Sequence, residues 1–165
     1  MAAPALRPLA DAPPPAPVNQ NRPALGGPWN SAIDTLARTL WGEARDQPVR
    51  SIEAVASVVL NRVAISTARQ GCWWGDGIVS VCRHPGQFPC WDQDRAGRAV
   101  LLALKPGDPV FDTCLRIARR ATAGVLPDPT NGATHYHAAT KYPPWAANQL
   151  PTAEIGTTLF YRIEP

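Results

Sequence analysis

Glu43 is the residue whose position most strongly suggests chemistry. It lies in the stretch TLWGEARDQP, residues 39–48, at the end of an apolar helical pattern and close to Trp41. A carboxyl group at the edge of an apolar stripe is partly desolvated, and desolvation disfavours its charged form. A carboxylic acid that stays protonated can donate its proton to the leaving oxygen of a glycosidic bond. The pattern therefore indicates a proton donor, and an ordinary solvent-exposed charge at a helix end is the alternative.

Aromatic side chains are concentrated in segments where glycine and proline interrupt every regular period. The stretches predicted to be loops or strand edges contain Trp73, Trp74, Trp91, Tyr136, Tyr142 and Trp145. Sugars stack on aromatic faces and hydrogen-bond to amide and hydroxyl groups, so this composition favours a carbohydrate cleft. Packing in the core is the alternative for any single tryptophan. We expect five residues to bind substrate: Asn61, Gln87, Tyr136, His137 and Trp145.

Two histidines leave a different kind of chemistry open. His135 and His137 share one face of a predicted strand and could bind a metal together with Glu43, Asp112 or a cysteine. A polar strand face that lines the cleft is the simpler interpretation, and we expect neither a metal nor a cofactor. A cysteine peptidase needs a cysteine activated by a histidine, but no cysteine opens a predicted helix, where thiol pKa values are lowered.

The four cysteines are compatible with disulfide bonds because their number is even. Their spacing contains no C-x-x-C pair, which argues against a zinc knuckle. Cys82 and Cys90 bracket the loop RHPGQFP, and we predict that they pair. Buried free thiols are the alternative.

Composition narrows the partners of the chain. A net charge of +3 and a pI of about 8.9 suit an anionic polymer. No dense basic run or RNA-stacking motif is present, so we expect no nucleic acid. The sequence has no apolar run of about 20 residues, the length of a membrane span, so we expect no stable membrane insertion. We also expect a monomer. No secretory signal is visible, so holin-dependent release or carriage by a particle are the routes by which the protein would leave the cytoplasm.

The elements that position these residues are predicted from apolar periodicity. Residues 1–28 hold eight of the nineteen prolines and read as a disordered arm or linker, so the folded domain is expected over 29–165. Helices are predicted from Ser31, through QPVRSIEAVASVVLNRVA, in AGRAVLLAL and from an N-cap at Asp108. The second helix is apolar on two faces and should be central. Strands are predicted in ATHYHA and TTLFYRI, giving an α+β fold with a helical body and a small β-hairpin wall.

Four motifs resemble, in order, those of the SleB/CwlJ-like, spore-cortex-lytic type of cell wall hydrolases. LARTLWGEARDQPVRSIEAVASVVLNRV is similar to that family's helix ending in EARGE and its following A-V-A-x-V-x-L-N-R-V helix. VCRHPGQFPCW looks like its Q-F loop, and DPTNGATHYHAATKYPPWA like its D-P-T-x-G-A strand with P-x-W. IGTTLFYR resembles its closing I-G-x-H-x-F-Y, with Thr158 in place of the histidine. The resemblance covers residues 33–162.

This resemblance implies a lysozyme-like fold and a single catalytic glutamate, Glu43, acting on peptidoglycan glycan strands in the periplasm or cell wall. It also implies that Gly42 lets the sugar approach. A lytic transglycosylase is expected before a muramidase, because hydrolysis usually needs a second carboxylate and no spacing singles one out among Asp46, Asp76 and Asp112. A metal- or cysteine-dependent amidase or peptidase, and a glycan-binding module without catalysis, are the alternatives.

Overall fold

The computed structural model describes residues 31–92 and 97–165, which form a helical body with one small sheet. The helices are α1 (Ser31–Ala44), α2 (Val49–Ala68), α3 (Ile78–Arg83), α4 (Arg98–Ala103) and α5 (Pro109–Thr122). The strands are β1 (His135–Ala138), β2 (Ala153–Ile155) and β3 (Thr158–Tyr161), with short 3-10 helices at Pro89–Trp91 and Pro144–Ala146. The predicted α+β class is confirmed. The predicted arm, residues 1–28, lies outside the described residues.

Helix α2 is central, as its two apolar faces predict. One face packs with α1, α3 and α5 in the main core, which includes Val55 and Val59. The opposite face carries Ala54 and Val58 into a second cluster with residues of the sheet. By length and composition alone α2 could cross a membrane, with a mean hydropathy of 1.2, but 56% of that segment is buried inside the domain. Its apolar character is therefore explained by its place in the core.

The sheet has three antiparallel strands in the order β1-β3-β2, one more than the predicted hairpin. Strand β2 was missed because it has only three residues, too few to show an alternating pattern. Tyr136 on β1 lies opposite Phe160 on β3, and both rings face α2. Because side chains alternate along a strand, His135 and His137 lie on the other face, where both rings contact Trp145.

Two of the tryptophans assigned to a carbohydrate cleft are core residues instead. Trp74 is fully buried and Trp91 is 8% exposed. Each indole N–H is satisfied inside the protein: Trp74 donates to Ser66 Oγ at 2.9 Å and Trp91 donates to Thr39 Oγ1 at 2.9 Å. The expectation that these two residues line a cleft was wrong. A tryptophan in an irregular segment can pack in the core when its indole N–H has a hydrogen-bond partner there.

Asp128 ties the segment before β1 to the central helix. One carboxylate oxygen accepts hydrogen bonds from the Thr130 N–H (2.8 Å) and hydroxyl (2.6 Å). The other accepts from Asn61 Nδ2 (3.0 Å) and the Gly132 N–H (2.9 Å). Burial alone would raise the pKa of Asp128, but these hydrogen bonds together lower it below its usual 3.8. The charged form of the carboxylate thus helps to hold the sheet on α2.

We predict that Asp128→Asn destabilises the protein by about 1–2 kcal/mol at pH 6, because an amide NH₂ would face two donors. The folded-state pKa of Asp128 is lowered, so its contribution is present above pH 3.8 and is lost as the pH falls through the folded value. Denaturant unfolding of both proteins from pH 6 to pH 2.5 should show the difference narrowing only at the acid end. Asp46→Asn is the control, since that side chain is 85% exposed. A difference that is constant over this range, or absent at pH 6, would contradict the assignment.

Candidate active site

Glu43 lies in the last turn of α1, between the sheet and the loop that follows α3. Its side chain is half-buried. The Tyr136 hydroxyl donates to Glu43 Oε2 at 3.0 Å, and the backbone N–H of Cys90 donates to Oε1 at 3.4 Å. Strand β1 and the 3-10 helix at Pro89–Trp91 therefore each supply one donor, and the carboxylate has a fixed orientation.

Tyr136 is suited to remain a hydrogen-bond donor to this carboxylate. Burial, followed by the charge of Glu43 and the hydrogen bond to it, raises the pKa of Tyr136 well above its usual value. The phenol therefore stays protonated over the whole range in which enzymes act. Its ring packs against both hydrophobic clusters and lies 5.8 Å from the Phe160 ring.

Gly42 is required by a close contact inside the protein, and whether it also lets a sugar approach stays a prediction. A Cβ atom at Gly42 would lie 2.5 Å from Cys90 Cβ and 2.8 Å from Cys90 Sγ. These distances are too short for any side chain at position 42 unless the 3-10 helix moves. The absence of a side chain thus lets Cys90 approach α1 closely enough to contact Glu43.

A pocket of about 460 Å³ opens beside Glu43. Its walls come from the end of α1, from the 3-10 helix at Pro89–Trp91 and from α4 with the residue before it. Among its described lining residues, Glu43 is the one carboxylate and Arg45 the one cation; the others are Trp41, Gly42, Pro89, Cys90, Gly97, Val100 and Leu101. The pocket combines an acid, a cation and an indole ring on one helix end.

Arg62 is a structural residue near the site that the sequence did not single out. It is 5% exposed, and its guanidinium donates to Thr134 O (2.8 Å) and to Gln87 Oε1 (2.8 Å). No carboxylate pairs with it in the described part of the chain. Burial lowers the pKa of Arg62, and burial followed by the charge of Arg62 lowers the pKa of His135 to about 4. The available signal was an arginine in the apolar middle of α2, away from the exposed Arg50 at its start.

The residues predicted to bind substrate are not all together. Tyr136 contacts Glu43, whereas Gln87 is bonded to Arg62 and Asn61 donates to Asp128 and to Ala133 O. His137 is buried, with one ring nitrogen 2.8 Å from Ala138 O and the other 2.9 Å from the Tyr161 hydroxyl. Trp145 is 39% exposed and packs over His135, His137 and Tyr161. Apart from Tyr136, none of the five contacts Glu43, and their roles toward substrate stay predictions.

The predicted disulfide between Cys82 and Cys90 is absent, and all four cysteines carry free thiols. The two side chains face different partners: Cys82 is buried in the main core next to Thr39, and Cys90 packs on Gly42. Burial raises the pKa of Cys82 and of Cys114 to about 12. Burial, followed by the charge of Glu43, raises the pKa of Cys90 as well. These three thiols are poor nucleophiles, because the thiolate is the reactive form.

Within residues 31–92 and 97–165, no three side chains of the metal-binding types come close enough together to hold a metal ion. His135 and His137 both pack on Trp145.

Comparison with known proteins identifies the class. The model of the Cell Wall Hydrolase family matches residues 46–161, and the chain belongs to that family. The match begins just after Glu43 in the sequence. No curated protein matches the chain.

Two solved structures are similar to this chain. The catalytic domain of the Bacillus cereus SleB protein is 23% identical, with a TM-score of 0.62, over 83% of this chain and 94% of that one. The catalytic domain of the germination-specific lytic transglycosylase SleB from Bacillus anthracis is 24% identical, with a TM-score of 0.61, over 83% and 98%. These likenesses confirm the predicted lysozyme-like fold.

We predict that Gly42→Ala destabilises the protein by about 1–3 kcal/mol, although alanine favours a helix more than glycine does, because the added methyl group overpacks against Cys90. Cys90→Gly in the same chain removes both contacting atoms and should restore much of the loss. Cys90→Ala removes only Sγ and leaves the 2.5 Å contact, so it should restore little. Denaturant unfolding of the single and double variants measures the coupling. A Gly42→Ala protein at least as stable as the parent would show that the contact imposes no constraint.

Proposed function

We propose that this cell wall hydrolase cleaves the β-1,4 bond between N-acetylmuramic acid and N-acetylglucosamine in peptidoglycan, with Glu43 as its acid. The observation that carries the proposal is the half-buried Glu43 carboxyl, oriented by Tyr136 and by the Cys90 N–H at the wall of a pocket. Family membership makes the cell wall the place of action. The Bacillus anthracis neighbour supplies the precedent of a lytic transglycosylase with this fold.

In the first step, the protonated Glu43 transfers its proton to the glycosidic oxygen. The bond from that oxygen to C1 of the N-acetylmuramic acid then breaks, and N-acetylglucosamine leaves. The departing sugar keeps the proton as its new hydroxyl group. Glu43 is then a carboxylate, and the Tyr136 hydroxyl and the Cys90 N–H stabilise it by donating hydrogen bonds. In the second step, the carboxylate takes a proton from the nucleophile that attacks C1 and returns to its acid form.

We infer that this nucleophile is the 6-hydroxyl group of the muramic acid, which makes the enzyme a lytic transglycosylase and its product a 1,6-anhydro sugar. A muramidase would use water, usually with a second carboxylate to assist. The candidates for such a second carboxylate have other partners. Asp112, in the first turn of α5, accepts a hydrogen bond from the Gly107 N–H, and Asp76 accepts one from the Ser80 hydroxyl. Asp46 is largely exposed, and none of the three lines the pocket of Glu43.

Glu43→Gln should abolish the acid while keeping the size of the side chain and an oxygen for Tyr136. We predict a loss of about 100-fold or more in the rate of wall lysis, the range seen when a general acid is removed. Thermal unfolding should be close to that of the parent. Glu154→Gln, at an exposed position on β2, makes the same chemical change away from the site and should leave lysis unchanged. Lysis by Glu43→Gln at the parental rate would refute the role of Glu43.

Mass spectrometry of digested glycan strands separates the two reactions. We predict muropeptides that end in 1,6-anhydro-N-acetylmuramic acid, lighter by one water than the reducing products of a muramidase. The digestion should be repeated in water enriched in oxygen-18. Incorporation of the label into the new sugar ends would show hydrolysis and overturn the transglycosylase assignment, while leaving the acid role of Glu43 intact.

A further inference from the structure

The guanidinium of Arg45 lines the pocket that contains Glu43, and the proposed reaction assigns it no role. Its guanidinium lies over the Trp41 ring, with Cζ 4.6 Å from the ring centroid. Stacking on an indole restricts the long side chain and keeps its planar face in place. Arg45 and Glu43 both line the pocket, so a ligand that reaches the carboxyl group also passes the guanidinium.

Within the described residues, the guanidinium of Arg45 has no close hydrogen-bond acceptor. The nearest carboxylate in the described part of the chain belongs to Asp46, 3.8 Å from Nε, and that side chain is 85% exposed. An ion pair of this length in solvent contributes little. Other arginines have close partners: Arg38 is bonded to Asp34 at 2.9 Å and Arg120 to Glu53 at 2.8 Å. Arg45 therefore differs from these in stacking on an indole ring with no close carboxylate among residues 31–92 and 97–165.

The chemistry of a guanidinium fork selects carboxylates, which it can bind through two parallel hydrogen bonds. The pocket of about 460 Å³ is sized for a small part of a glycan chain, so the substituents of that chain must extend along its rim. In peptidoglycan the muramic acid carries a lactyl group, which bears either a stem peptide with free carboxylates or, in peptide-free strands, a carboxylate of its own. A chain of N-acetylglucosamine alone has no such charge.

We propose that Arg45 is a specificity residue that binds a carboxylate on the muramic acid substituent, so that the pocket favours anionic glycan strands over neutral ones. This inference rests on the proposed function for the nature of the polymer. It concerns binding rather than bond cleavage, and it assigns to Trp41 the role of holding the guanidinium in place.

Binding is the direct test, because it does not require the reaction. Soluble glycan strands with stem peptides are titrated into Glu43→Gln and into the double variant Glu43→Gln with Arg45→Gln. A second batch of the same strands has its carboxyl groups converted to amides, and a third has the peptides removed so that only the lactyl carboxylate remains. Arg50→Gln on the Glu43→Gln background is the matched control, since Arg50 is exposed on α2 and does not line the pocket.

We expect amidation to weaken binding to Glu43→Gln about tenfold, the loss of one charge-assisted interaction, and to have no effect once Arg45 is replaced. The Arg50 variant should discriminate as Glu43→Gln does. Tight binding of the peptide-free strands would assign the contact to the lactyl carboxylate, and weak binding would assign it to the stem peptide. Equal discrimination with and without Arg45 would overturn the inference. Discrimination by Arg45 in a parent enzyme that cuts no glycosidic bond would refute the proposed function alone.

Discussion

The hydrogen bond from Tyr136 to Glu43 is the interaction on which the site depends. It joins the end of the first helix to the first strand, across 93 residues of chain. Tyr136 also packs against both hydrophobic clusters, so the position of its hydroxyl is set by the helical core and by the sheet together. Any change that separates the sheet from α2 would therefore move the donor away from the acid.

Two further constraints maintain this arrangement. Gly42 allows Cys90 to approach α1, which brings a backbone N–H to the other oxygen of Glu43. Arg62 holds the start of β1 through Thr134 O and the loop after α3 through Gln87. Both of these acceptors are neutral, so burying the guanidinium charge costs free energy. The acid is thus surrounded by contacts that fix the backbone on both sides of it. Rigid support of this kind lets a single carboxyl group keep one orientation through both steps of a reaction.

The sequence predicts α1, α2, α4 and α5 because each has an apolar stripe or a clear boundary. It misses α3, a helix of six residues in a segment that glycine and proline interrupt. Asp108 caps α5 by accepting from the Phe111 N–H, as its position before Pro109 indicates. Strand β2 is too short to show a pattern. Whether a tryptophan is buried depends on hydrogen-bond partners that come together only in the folded protein. Trp74 was therefore assigned to the cleft although its indole N–H is satisfied in the core.

For the site, periodicity and motif resemblance identify Glu43, but neither reveals which groups hold it. Tyr136 is far away in sequence, and Cys90 contributes a backbone atom that no side-chain pattern records. Gly42 was noticed as an open position, but whether a ligand or the protein fills the space beside a glycine is decided by tertiary packing. The sequence therefore indicates the proposed acid, and the fold determines its environment.

We propose that Glu43 delivers its proton to a glycosidic oxygen. A crystal structure of Glu43→Gln with an uncut peptidoglycan tetrasaccharide tests it most directly, because the amide stands in for the protonated acid. We predict that one glycosidic oxygen between muramic acid and glucosamine lies within hydrogen-bond distance, about 3 Å, of the amide nitrogen at position 43. A tetrasaccharide that is bound with every glycosidic oxygen beyond the reach of residue 43 would contradict it.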